Sequence, residues 1–489
     1  MAERQPQFIF NDTSEGVIQK VKYNLVMPNS VAHSINFVFD EVFGEAVVRR
    51  GTTIKGAQLV AEDNTINGLY YFKDSAGTAQ KALAAVNVPN DATQSIYYFD
   101  TADTTWKAGL TGDTASLKTR FTTFLNRVIR VNGTDAVQTS SNGIAWSASD
   151  NTIDSSNFQN GKYIIVYKDQ IITAGKSTKP DSVFISSVPN AGGTAISWTT
   201  GDREIVINPE DGSNITGLGK VGTLLIIFKD NAMYRWNNRS TDADEIISVG
   251  CSSQESIVNL GGSLLSFFNS HGVWLTTGEQ PVLISRRVQK WIDGMSTSFY
   301  DDVCSYGDEE HLLVSIGDCT VDGTTYNNIV LRYTVATKEW AVFSYAHEFR
   351  KFSKFLNGNE IQIIGGDTTA RVLQLNSGVT DNSTSIGFQI ESHDLSFGSR
   401  GFQKEISERI MMYGLNPASV ILQVKIGNGA GESDWITIGT TNKQIEEFII
   451  NQSLRGNYFR FRVVGTSSTE AFRFQGLELP KMTMLDYGV

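Results

Sequence analysis

The sequence predicts an all-β protein: a β-propeller of about six or seven blades, followed by a C-terminal antiparallel β-sandwich of jelly-roll type. Three observations lead there. A hairpin unit recurs along most of the chain, no long segment carries a helical apolar stripe, and the strand pattern changes character near Ser383.

The hairpin unit is a run of strand formers, a tight polar turn, a second strand carrying an aromatic, and then a looser polar stretch. Its clearest copies are TLLIIFKDNAMYRW, starting at Thr223, and SLLSFFNSHGVWLT, starting at Ser263. Looser copies are RFTTFLNRVIRVNG from Arg120, KYIIVYKDQIITAG from Lys162 and NEIQIIGGDTTARVLQL from Asn359. Val, Ile, Phe, Tyr and Trp suit a half-buried pleated surface. Asn, Asp and Gly accept the positive φ of a hairpin turn. Copies recur at roughly 40 residues, the length of a propeller blade. The two apolar runs that could be helical, AQKALAAV from Ala79 and VQKWIDGM from Val288, are short.

Three parts follow in chain order. Residues 1–53 read as an N-terminal arm and strand pair: FIF at Phe8, then SINFVFDEVFGEAVVRRGTTIKG from Ser34, with Gly44 in the turn. Residues 54–382 read as the propeller. Residues 383–489 read as the sandwich, from six strand-like runs: FQIESHDLSF, KEISERIMMYGL, SVILQVKIGNG, DWITIG, YFRFRVVG and AFRFQGLEL. In YFRFRVV, Phe459 and Phe461 alternate with Tyr458, Arg460 and Arg462, as in a strand with one buried face. The final PKMTMLDYGV reads as a tail.

Composition narrows the functional classes. The chain has 489 residues, 40% hydrophobic and 19% charged, which indicates a large packed core. Its formal net charge of −11 argues against gripping nucleic acid by its phosphates, which takes Lys and Arg. The odd set Cys251, Cys304 and Cys319 has no metal-ligand spacing, so free thiols and folding in a reducing compartment are expected. No signal-peptide core and no apolar run of membrane-spanning length occur, so no membrane segment is expected.

No catalytic constellation, cofactor motif or metal set stands out. The five histidines are scattered, and no phosphate-cradling Gly loop or nucleophile elbow is present. DGSN at Asp211 and VDGTTYNN at Val321 read as turns before they read as calcium loops. SSNGIAW, Ser140 to Trp146, resembles the Asp-box turn of sialidases and other propellers, with Asn142 in the Asp position. Two charged features remain as candidates. FYDDVCSYGDEE holds the densest acidic cluster: Asp301, Asp302, Asp308, Glu309 and Glu310. Arg49 and Arg50 form a basic spot suited to a carboxylate on a neighbouring subunit.

Two stretches also carry a family resemblance. FVFDEVFGEAVVRRGTTIKG, from Phe37, resembles the opening of hub or nozzle proteins of short-tailed bacteriophages. There a strand pair of the form D…G…+RPG precedes the first blade; here Arg50 meets Gly51 directly. GVWLTTGEQPVLISRRVQKWIDG, from Gly272, is similar to their recurrent blade edge, and the C-terminal run is similar to their closing sandwich. The resemblance implies a virion structural protein, made in the host cytoplasm and built into the tail. It implies a homo-oligomeric ring of about six copies below the portal and its adaptor, touching the adaptor and other tail proteins such as a needle or fibre. The ring would extend the DNA channel, retain packaged DNA and let it pass without sequence-specific binding. On this reading the acidic cluster faces the channel, and the protein is not an enzyme and needs no cofactor. The alternative is a sialidase-like propeller that binds or hydrolyses glycans, with Trp236, Trp274 and Trp340 as stacking platforms. A peptide-binding cellular scaffold would carry Trp-Asp or kelch signatures, and the sequence has neither.

Overall fold

Among the described residues, six small antiparallel sheets and one end of an eleven-stranded sheet stand in a ring in the computed structural model, and each forms a propeller blade. The structure describes residues 7–8, 12–19, 29–39, 44–61, 64–198, 203–237, 243–397, 401–416, 419–428, 431–467, 469–480 and 482–485. The innermost strands, in blade order, are Ile66–Lys73, Arg120–Phe124, Tyr163–Tyr167, Ile215–Val221, Val258–Leu260, Cys304–Gly307 and Phe349–Asn357. Each touches the next, and Phe349–Asn357 returns to Ile66–Lys73, which closes the circle.

The recurring hairpins are all present, but they fall in two different phases. In blades 2 and 3 the hairpin is the first and second strand: Arg120–Phe124 with Arg127–Val131, and Tyr163–Tyr167 with Gln170–Lys176. In blades 4, 5 and 7 it is the second and third strand: Leu224–Lys229 with Met233–Trp236, Leu264–Asn269 with Gly272–Thr276, and Glu360–Asp367 with Val372–Leu375. Of the two short runs with helical potential, one is the strand Gln80–Asn87 and the other contains the helix Gln289–Asp293.

The last blade is completed by the start of the chain. Strand Thr52–Ile54 pairs with Val372–Leu375 as its outer strand. The N-terminal arm therefore closes the propeller, and it also enters the sandwich. Phe37–Phe39 and Ala46–Val48 form the strand pair read from the sequence. That pair and Gln7–Phe8 join Arg473–Leu479 and Arg409–Leu415 in one sandwich sheet. His33–Ile35 joins the other sheet, beside Thr384–Glu391, Tyr458–Ser467 and Ser419–Asn428. Residues 40–43 lie outside the described residues.

Phe459 and Phe461 are fully buried, as their alternation predicts. Phe388 stacks on Phe472 between the sheets at 5.1 Å. The expected C-terminal tail is corrected in part: Thr483–Leu485 is a strand paired with Gln403–Glu405, because that edge offers free backbone groups for it to satisfy. Propeller and sandwich are continuous, since the short strand Thr380–Asp381 pairs both with Thr52 of the last blade and with Thr384–Ser385 of the sandwich.

Candidate functional site

Arg49 sits at the joint between the two lobes, at the end of the strand pair Phe37–Phe39 and Ala46–Val48. Its guanidinium holds both oxygens of Asp381, at 2.8 and 2.5 Å, and its Nε donates to Asn36 Oδ1 at 2.8 Å. It also donates to the Ser344 carbonyl and lies over the Tyr345 ring, 3.7 Å from the centroid. The side chain is 1% exposed. The expectation that Arg49 contacts another subunit is therefore corrected, because every face of this planar group is engaged within the chain. Arg50 is exposed beside it. Gly51 follows where the backbone crosses the loop to Asp381: a Cβ there would stand 1.9 Å from the Thr380 carbonyl oxygen.

The stretch from Gly272 contacts the N-terminal arm ahead of that strand pair. The Arg287 carbonyl accepts from Gln19 N at 2.8 Å, and Arg287 pairs with Glu15 at 3.2 Å. Trp291, on the short helix, is fully buried and packs at 5.4 Å from the His33 ring.

The acidic cluster is divided by the fold. Asp301 and Asp302 precede the inner strand Cys304–Gly307, whereas Asp308, Glu309 and Glu310 form the turn after it. The two groups thus lie at opposite ends of the blade, roughly 15–20 Å apart at strand rise. Asp308 caps its own turn, accepting from His311 N at 2.7 Å and Glu310 N at 2.9 Å. Glu309 and Glu310 are exposed.

Asp302 belongs to a charged network at the propeller axis. All seven inner strands start at the same end of the ring, so the residues leading into them converge. Lys118 precedes the second blade and pairs with Asp302 at 2.9 Å; Arg350 of the seventh blade pairs with Asp302 as well. Beneath them, Glu255 receives Arg120 and Lys351, each at 2.8 Å, and its side chain is 10% exposed. Burial alone would raise the Glu255 carboxyl, but Arg120, Lys351 and Lys118 hold it well below the usual carboxylate range. Burial pushes the Lys351 ammonium down to about 8, and Arg120 and Lys118 push the same way against Glu255. The network spans blades 2 and 7 and the loops before blades 5 and 6. It borders a cavity of about 270 Å³, which adjoins a larger one of about 710 Å³ through Ser116, Lys118 and Glu255. No local motif announces this site, because its members are scattered from position 118 to 351; their shared signal is only that each leads into or starts an inner strand.

Other sequence features resolve into structural roles. Asn142 of SSNGIAW accepts from Ile144 N and Ala145 N at 2.9 and 3.0 Å, the backbone bracing expected of an Asp-box turn. Asp211 pairs with Lys229 at 2.7 Å and Asp322 with Lys290 at 2.9 Å, so both suspected calcium turns are occupied by lysine. Among the described residues, no group of three or more His, Cys, Asp or Glu could hold a metal ion. Trp236 and Trp340 are 1% and 0% exposed, which makes them core residues and not sugar platforms. Trp274 donates to Asn269 at 2.8 Å and stacks on Phe267. No helix among the described residues is long and apolar enough to cross a membrane.

No protein-family model and no curated protein matches the sequence. Among solved structures, the chain is similar to BamB from Moraxella catarrhalis, at 12% identity and a TM-score of 0.38, over 71% of this chain and 98% of that one. The propeller assignment stands on the closed ring of seven blades among the described residues.

Proposed function

We propose that this chain is a structural subunit of the tail of a short-tailed bacteriophage, assembling into a ring that extends the DNA channel below the portal and adaptor. One observation carries the reading. The stretch from Phe37 fastens the N-terminal arm to the strand joining propeller and sandwich through Arg49–Asp381, and the stretch from Gly272 pairs with an earlier part of the same arm through Arg287–Glu15. The residues of the resemblance thus have an architectural use: they make a stiff two-lobed block from a propeller and a sandwich. Such a block suits a ring subunit, whose head-to-tail contacts must repeat at a fixed angle for the ring to close. DNA would pass between subunits and not along the propeller axis, which the Glu255 network crosses. The exposed Glu309 and Glu310 are the members of the acidic cluster left to face a channel, where they would repel phosphate.

The test is assembly. Purified protein is mixed with portal–adaptor complexes from a short-tailed phage of the same host, and followed by mass photometry and negative-stain imaging. Rings docked coaxially on the portal–adaptor support the reading. A chain that stays monomeric and unbound at micromolar concentration, alone and in the mixture, overturns it.

A further inference from the structure

The larger axial cavity has a chemistry that the ring reading does not use. It opens at the end of the propeller where the inner strands begin, and its volume of about 710 Å³ is that of a small-molecule site. Its charges are sorted by blade. Lys118 and Arg120 come from blade 2, and Lys162 and Lys176 from blade 3; Asp230 follows the second strand of blade 4, and Asp301 precedes blade 6. A cationic wall thus faces an acidic one, inside a chain whose net charge is −11.

Lys118 is held by Asp302 at 2.9 Å, whereas two of the lining cations have no carboxylate partner among the described residues. Glu255 is shared between Arg120 and Lys351. Lys176 Nζ donates to the neutral Gln159 amide oxygen at 3.0 Å, and the exposed Lys162 forms no ion pair among the described residues. Lysines act as compact point charges with rotatable donors, a form suited to phosphate oxygens. Arg120 is less available, since it also donates to the Lys162 carbonyl and lies 4.8 Å from the Tyr163 ring centroid. On the far wall, burial and the neighbouring Asp301 raise the Asp230 carboxyl, so this wall favours a partner that donates hydrogen bonds.

We propose that the axial cavity binds a small phosphate ester, its phosphate against Lys162 and Lys176 and its hydroxyl or amino groups toward Asp230 and Asp301. This goes beyond the tail reading and does not depend on it.

Isothermal titration of the full chain at low salt tests it, with glucose 6-phosphate, inorganic phosphate and glucose as probes. Saturable one-to-one binding of the ester, at least tenfold tighter than inorganic phosphate and with glucose silent, is expected. Lys162→Ala and Lys176→Ala should each weaken the ester about tenfold. Lys443→Ala, which removes the same charge from an exposed sandwich turn, should leave binding unchanged. Unaltered circular dichroism and melting temperature establish that each variant is folded. No saturable heat, equal affinity for ester and inorganic phosphate, or an equal loss in Lys443→Ala overturns the proposal.

Discussion

Arg49 and Asp381, 332 positions apart, face each other through two hydrogen bonds of 2.8 and 2.5 Å in a site closed to solvent. The pair ties the N-terminal arm to the strand that joins propeller and sandwich. Removing one partner of a buried pair leaves the other charged and desolvated, at a cost of about 3–5 kcal/mol. Asp381→Ala should therefore lower unfolding stability by that amount in urea. Arg49→Lys should not rescue function of the joint, because an ammonium cannot reproduce the two-pronged contact. The double replacement Arg49→Leu with Asp381→Leu should cost less than the sum of the two single changes; additivity would show that the pair does not couple the lobes.

Gly51 is required by space. Its missing Cβ leaves room for the Thr380 carbonyl, and the close approach lets Thr52–Ile54 reach the last blade. Gly51→Ala should destabilise the chain by about 1–3 kcal/mol, as overpacking does. Limited proteolysis should then cut first within residues 349–375, the blade that has lost its outer strand. Cleavage spread evenly over all blades would argue against closure by the arm.

His33 and His393 set an acid limit. Burial depresses both to about 4 from an ordinary 6.5, with Asp322 opposing and Lys290 and Arg462 assisting at His33, and Asp394 opposing and Arg460 assisting at His393. Folded-state values below the unfolded one mean that the unfolded chain binds more protons between pH 6.5 and 4. Stability is therefore lost as pH falls through that window. The urea midpoint should drop from pH 7 to pH 4.5, and His33→Phe, which keeps a ring against Trp291 and Tyr326, should flatten the drop. An unchanged slope in that variant would assign the acid sensitivity elsewhere.

The three cysteines are free and buried. Burial pushes the Cys251 thiol up to about 11 and raises Cys304 and Cys319 further. Thiolates are the reactive form, so the native protein at pH 8 should react negligibly with a thiol reagent over an hour. The denatured, unreduced protein should titrate all three. A fast-reacting thiol in the native state would contradict the packing around blades 5 and 6.

The proposed tail role makes an electrostatic prediction at Glu309 and Glu310. Phage carrying Glu309→Lys with Glu310→Lys should assemble but eject DNA more slowly at low salt. The defect should fade as ionic strength approaches about 0.1 M, where the screening length is near 10 Å. Unchanged ejection at low salt would remove these residues from the channel.

The sequence alone specifies the hairpins, because strand alternation and turn chemistry are local. TLLIIFKDNAMYRW and KYIIVYKDQIITAG fold as the antiparallel pairs their patterns describe, and Phe459 and Phe461 are buried as alternation requires. It did not determine the phase of those hairpins within a blade. Every adjacent pair of strands in a blade is antiparallel, so the first and second strands look like the second and third. Nor could it place the arm: the pairing of Thr52–Ile54 with Val372–Leu375 joins residues some three hundred positions apart, and three-residue strands carry too little pattern to name a partner. The same holds for charge. In the sequence Arg49 is only a basic spot suited to some carboxylate, and nothing local marks Glu255. Their roles come from what the closed ring brings against them, since burial and opposing charge are properties of the fold and not of the chain segment.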